Sequence, residues 1–110
     1  MAFNVTANPT FTHPVEVFVP ADGGHRKETF KATFRVLDTD ELGSFNLDDP
    51  ASARAFLVAV IQSLSDLVDD DNKPVPYSDA LRDQMLRLSY VRLALARTYI
   101  EAVTKARAGN

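Results

Sequence analysis

The chain has no cysteine, no tryptophan, two histidines and four glycines among its 110 residues. Without thiols it forms no disulfide and no thiolate metal site, so nothing in it requires an oxidising compartment. Its two imidazoles, His13 and His25, show no His-x-x-x-His spacing and fall short of the three or four ligands that zinc takes. Both read as solvated: His13 precedes a proline where a strand begins, and His25 sits in a glycine-rich turn. Long apolar runs are also missing. The longest, Ala55 to Ile61, is far short of the roughly 20 residues that span a bilayer. The N-terminal Met1-Ala2-Phe3-Asn4-Val5 lacks the basic region and apolar core of a signal peptide. The expectation is a soluble chain that stays in the cytoplasm where it is made, with no membrane partner.

Charge of one sign is in short supply as well. Fifteen acidic residues against twelve basic ones leave a net charge of −3. A phosphate backbone is gripped by clustered lysine and arginine, so nucleic acid is not an expected partner. Arg82, Arg87, Arg92 and Arg97 form a row on paper. A spacing of five turns each about 140° from the last around a helix, which scatters them.

The patterns that carry chemistry fail in the same way. Asp69-Asp70-Asp71-Asn72 suggests a calcium loop, but Pro74 stands at its sixth position, where glycine is needed, and Ala80 at its twelfth, where glutamate is needed. Proline cannot make the left-handed turn, and a solvated acidic turn between helices is the better reading. Serines 44, 52, 63, 65, 78 and 89 sit at caps or on polar helix faces, none of them in a glycine-rich elbow. Gly23-Gly24 is followed by neither a Lys-Ser/Thr pair nor a helix start, so it forms no phosphate cradle. The sequence thus predicts no catalytic, cofactor-binding or metal-binding residues and no enzyme.

What is present suits one α+β domain over residues 1–110, with a β-hairpin part at 1–37 and a helical part at 38–110. A hydrophobic fraction of 45% and a charged fraction of 25% are ordinary for a globular chain. Val15, Val17 and Val19 alternate with Glu16 and Phe18, and Phe30, Ala32, Phe34 and Val36 alternate with Lys31, Thr33 and Arg35. Period two on both sides of Ala21-Asp22-Gly23-Gly24 predicts an antiparallel hairpin. Pro14 cannot donate to a ladder, which makes the first strand an edge. Residues 3–11 are a further strand candidate, interrupted by Pro9.

Three or four helices are expected to follow as a bundle against the hairpin. Thr39 to Leu42 predicts one short turn. Asp49-Pro50 is a start signal, with aspartate as N-cap and proline at the first helical position. From there Ala53, Phe56, Leu57, Val60, Ile61, Leu64, Leu67 and Val68 fall within an arc of about 140° on one helix. Asp69 to Ser78 reads as a loop, Asp79 to about Leu88 as a helix capped by Ser78, and a last helix runs to about Arg107 after a break near Ser89. On that last helix Leu88, Val91, Leu95, Tyr99, Ala102 and Ala106 share one face. Leu93 and Ile100 lie about 120–140° away, joined to it by Ala96 and Val103. An apolar arc of about 200° exceeds what one-sided packing requires. Leu93, Ala96, Ile100 and Val103 are therefore the candidate partner-binding residues; packing beneath the hairpin or a short helix is the alternative.

Several segments together resemble phage tail assembly chaperones. Thr10-Phe11-Thr12-His13-Pro14-Val15 matches the opening Thr-Phe-x-x-Pro-Val of that family, and Phe30-Lys31-Ala32-Thr33-Phe34 its Phe-x-Ala-x-Phe strand. Val68 through Ser78 matches its acidic turn and Pro-x-Pro-aromatic-Ser helix start, and Val91 through Tyr99 its closing helix. The likeness covers residues 10–102. Ser63-Leu64 replaces the family's Gly-Trp, and Asn72 stands where glycine is usual; asparagine is the residue best able to replace glycine in a left-handed turn. The resemblance implies a helper in the host cytoplasm, absent from the mature virion, that binds the tape measure protein and helps recruit tail tube protein. It also leaves self-association open. The alternatives are a structural tail or head–tail connector protein, or a host adaptor module.

Overall fold

Alternating valines and phenylalanines on either side of a two-residue Asp22-Gly23 turn produce the longest feature of the molecule. The computed structural model describes residues 1–6 and 8–105. Strands β1 (Thr10–Ala21) and β2 (Gly24–Arg35) pair antiparallel in unbroken register from Ala21↔Gly24 to Thr10↔Arg35. Gly23 takes φ +74°, a left-handed value that tight hairpin turns require and glycine reaches without strain. One face carries Val15, Val17, Phe30, Ala32 and Phe34, all buried. The other is mostly polar, with Thr12 and Thr33 joined hydroxyl to hydroxyl at 2.8 Å across the strands, and carries a half-exposed Phe18.

The third strand is not the expected one. Residues 3–6, 8 and 9 lie outside the sheet, and the Asn4 side chain instead accepts from the Thr6 amide and hydroxyl at 3.0 and 2.9 Å. The sheet is completed by β3 (Ile61–Ser65), which pairs with β2 and gives the order β1-β2-β3. The sequence placed these residues in a helix running to Val68. The helix α2 (Pro50–Val60) instead stops where Ile61 turns to extended backbone at φ −80°, ψ 118°. Ile61 and Leu64 are three apart, a helical spacing, yet both are buried on the inner face of the sheet. A register shift between Thr33 and Phe34 allows this, pairing Ile61 with Phe34 and Leu64 with Ala32. The segment 38–110 is therefore not wholly helical. Arg35 secures the junction by donating to the carbonyls of Ala59 and Ile61 at 3.3 and 3.1 Å.

Starts of the other helices follow the sequence. α1 (Thr39–Gly43) is capped by Asp38, α2 by Asp49 with Pro50 in its first turn, and α3 (Asp79–Met85) by Ser78. Each capping side chain accepts from an amide that has no partner inside the helix. α4 (Ser89–Thr104) begins after the expected break, without a side-chain cap. The acidic loop is built around Asp69, whose carboxylate accepts from the amides of Asp71 and Lys73 at 2.9 and 3.0 Å. Asn72 is left-handed at φ +62°, as its place in the turn requires. Ala106 and Arg107, expected on the last helix, lie outside the described residues.

Helices α2 and α4 cover the inner face of the sheet and each other, giving the expected α+β architecture. Phe56, Leu57 and Val60 from α2 meet Val91, Ala94, Leu95 and Tyr99 from α4 in a single core with the strands. Each large side chain in it contributes about 1.5–3 kcal/mol through burial. Tyr99 ties the layers together. Its ring lies 5.3–6.1 Å, centroid to centroid, from Phe11, Phe34 and Phe56, and its hydroxyl accepts from the Leu37 amide at 3.0 Å. Tyr99→Phe keeps the ring contacts but strands that amide, so it should cost about 1–3 kcal/mol. Tyr99→Ala should cost about 3–5 kcal/mol. Urea denaturation of both variants checks the ordering.

Candidate partner-binding surfaces

Residues 93, 96, 100 and 103 are three, four and three apart, so they share a stripe about 80° wide on α4. The structure separates them into two kinds. Leu93 and Val103 are 57% and 37% exposed, whereas Ala96 and Ile100 are half-buried and pack on the core. Leu93 and Ala96 come together in a shallow groove of about 250 Å³, walled by Leu47, Pro50 and Ala53 at the start of α2. Ile100 is part of the core margin, and Val103 lies near the end of the helix, away from this groove.

A larger apolar site borders the same N-terminal part of α4 at Leu88, Tyr90 and Val91, and the sequence did not single it out. The hairpin strands are 12 residues each, longer than the part of the inner face that α2 and α4 cover. Val17, Val19 and Phe30 form the roof of an open cleft of about 420 Å³. Leu67, Val68 and Val75 of the acidic loop form one wall, and Leu81, Met85, Leu88, Tyr90 and Val91 the other. Arg26, Glu28 and Asp66 mark its polar rim. Val68 and Leu88 are 57% and 41% exposed despite facing this space.

Local geometry explains why these side chains converge. Val68 and Pro74 face each other as an isolated antiparallel bridge, and the Val75 amide donates to the Leu67 carbonyl at 2.8 Å. The loop therefore doubles back as a short extended pair instead of continuing α2. Part of this was readable: Val75 and Tyr77 alternate with Pro74 and Pro76, a pattern of extended chain with one apolar side. Leu81 and Met85, four apart, likewise share one face of α3. The remainder is hidden because helical periodicity places Leu67 and Val68 on the inner face of a longer α2, and Leu88 on that of α4.

An ion-pair cluster fixes the α3 wall. The Arg82 side chain is only 15% exposed and donates to Asp83 at 3.1 and 3.2 Å and to Asp79 at 3.4 Å. Tyr77 donates to the same Asp79 at 3.3 Å, and Arg54 of α2 approaches Asp83 at 3.8 Å. Burial raises the Tyr77 hydroxyl above its ordinary pKa, although the nearby Arg82 charge opposes it. Burial works against the Arg82 charge, but the hydrogen bond and charge of Asp83 outweigh it and the guanidinium is held above its ordinary value. These groups brace one element against its neighbours. The Asp79 side chain is open to solvent, and the described residues contain no group of three or more His, Asp and Glu placed to hold a metal ion.

What this arrangement offers chemically is apolar surface shaped for side chains of another molecule, rimmed by charges that can set its orientation. No helix among the described residues is long and apolar enough to cross a membrane. No family model, curated protein or solved structure matches the chain. If the cleft is open, 1-anilinonaphthalene-8-sulfonate should fluoresce with the native protein, and Val68→Ser with Leu88→Ser should quench most of that signal. Val68 is more than half exposed and Leu88 about two-fifths, so the double variant should lose no more than about 1–2 kcal/mol in urea denaturation.

Proposed function

We propose that this chain is a protein-binding helper with no reaction of its own, acting as a tail assembly chaperone of a tailed phage. In this reading it holds apolar stretches of the tape measure protein in the host cytoplasm, helps bring tail tube subunits to them, and is left behind when the tail is complete. The observation that carries the reading is the open cleft, in which exposed Val68 and Leu88 stand beside Val19, Leu67 and Met85. A monomeric domain gains nothing by leaving such side chains in water, whereas a binding protein needs them there. The Leu93–Ala96 groove adds a second apolar contact on a different face, which suits a client with several exposed stripes. The resemblance noted over residues 10–102 implies the client: a long helical protein whose apolar faces would aggregate if left uncovered.

The net charge of −3 fits this role, because it keeps a small apolar-surfaced protein soluble without attracting nucleic acid. The test is co-expression with the tape measure protein encoded nearby, followed by co-purification. The expected result is a tape measure protein that is soluble only with its partner present. Val68→Ser with Leu88→Ser should weaken the complex about tenfold or more, and Leu93→Ser by a smaller factor. Ile100→Ser should instead destabilise the fold by about 1–3 kcal/mol, because Ile100 packs on the core. A tape measure protein that is equally insoluble with and without this chain would end the proposal.

A further inference from the structure

The order β1-β2-β3 leaves one side of β1 unpaired along its length. In a two-residue hairpin the closing pair, here Ala21↔Gly24, exchanges hydrogen bonds, and every second residue then does the same. Odd-numbered residues of β1 therefore point their amides at β2, and even-numbered ones point theirs outward. Pro14 and Pro20 both fall at outward positions, where the missing N–H costs the sheet nothing. They also block an incoming strand at those points. Between them the amides of Glu16 and Phe18 remain, with the carbonyls of 14, 16 and 18, as a short ladder without a partner strand.

This ladder does not face open solvent alone. His13, Pro14, Glu16 and Phe18 stand across from α4 and enclose with it a groove of about 420 Å³. From α4 it is lined by the small Ala94, Thr98 and Ala102, which leave room beneath an added strand, and by Arg97 and Glu101 at its outer margin. A second β1 does not fit. Paired strands lie about 4.8 Å apart, whereas packed helices need about 8–10 Å, so the α4 helices beneath two paired β1 edges would collide. The occupant has to be an extended segment with no helix of its own on that side.

The chain carries one. Phe3 and Val5 are 88% and 82% exposed and alternate with the polar Asn4 and Thr6. Paired with the β1 edge, the two apolar side chains would drop towards Ala94 and Thr98, and the polar pair would join the outer face of the sheet. The segment cannot do this within its own chain. A reversal ahead of Thr10 would bring Phe3 opposite about residue 13, short of the ladder at Glu16 and Phe18. We infer that residues 3–6 of one copy add as an extra strand to the β1 edge of a second copy. Among the described residues, the exposed Asn4–Thr6 turn has to open for this to happen.

The inference does not depend on the tape-measure reading, since no other protein takes part. The natural absence of cysteine allows a direct test. Copies carrying Val5→Cys are mixed with copies carrying Thr98→Cys, a half-buried position in the groove, under mild oxidation. A cross-linked pair containing one of each should form in excess over either self-pair. Glu16→Pro removes an outward amide, as Pro14 already does, so it should leave the melting temperature nearly unchanged while reducing the mixed product at least tenfold. Light scattering should show the unmodified chain associating as concentration rises, and the Glu16→Pro chain remaining monomeric. A monomer at every concentration overturns the inference. So does a mixed cross-link indifferent to Glu16→Pro, or a Glu16→Pro variant that self-associates normally but loses a different protein partner.

Discussion

Tyr99 sits where every layer of this protein meets. Its ring is packed by Phe34 from the sheet, Phe56 from α2 and Phe11 near the start of β1, and its hydroxyl takes the amide of Leu37, just beyond the sheet. A leucine there would fill part of the space but would leave the Leu37 amide without its partner as the chain turns from strand to α1. The tyrosine thus fixes both how deep α4 lies against the strands and where the chain leaves the sheet. Once α4 is set, one of its flanks carries Leu93 and Ala96 towards α2, and its first turn brings Tyr90 and Val91 to the apolar cleft. The surfaces proposed for binding are consequences of that anchoring.

Much of this framework is legible in the sequence because it rests on local rules. The hairpin follows from period-two alternation about Asp22-Gly23, and Asp49-Pro50 and Ser78 mark helix starts through capping chemistry that acts within four residues. Asn72 adopts the left-handed turn that its side chain tolerates. Ile61–Ser65 failed for an equally physical reason. Ile61 and Leu64 carry helical spacing, and only a register shift against β2, a partner some thirty residues earlier, lets both face the core as a strand. No local pattern announces that shift.

The candidate site divides along the same line. Leu93, Ala96, Ile100 and Val103 could be read as one stripe because a helix repeats regularly, but their differing exposure depends on where α2 begins and on how far the core reaches along α4. The cleft was less visible still. Its lining comes from two strands, a doubled-back loop, α3 and the first turn of α4, and none of these segments has an unusual composition. Val68 and Leu88 look like core residues in sequence. They are exposed because α2 ends early and the hairpin extends past the helices.

The cleft between the hairpin, the acidic loop and α3 is proposed as the surface a partner occupies. Hydrogen–deuterium exchange, compared between the protein alone and the protein mixed with the tape measure protein proposed as its client, is the decisive test. Binding should slow exchange in residues 67–75 and 85–91, and more weakly around residues 92–96, while the polar outer face of β2 is unchanged. Protection confined to the outer face, or none in a complex that nevertheless forms, would show that the partner binds elsewhere and that the cleft has another purpose.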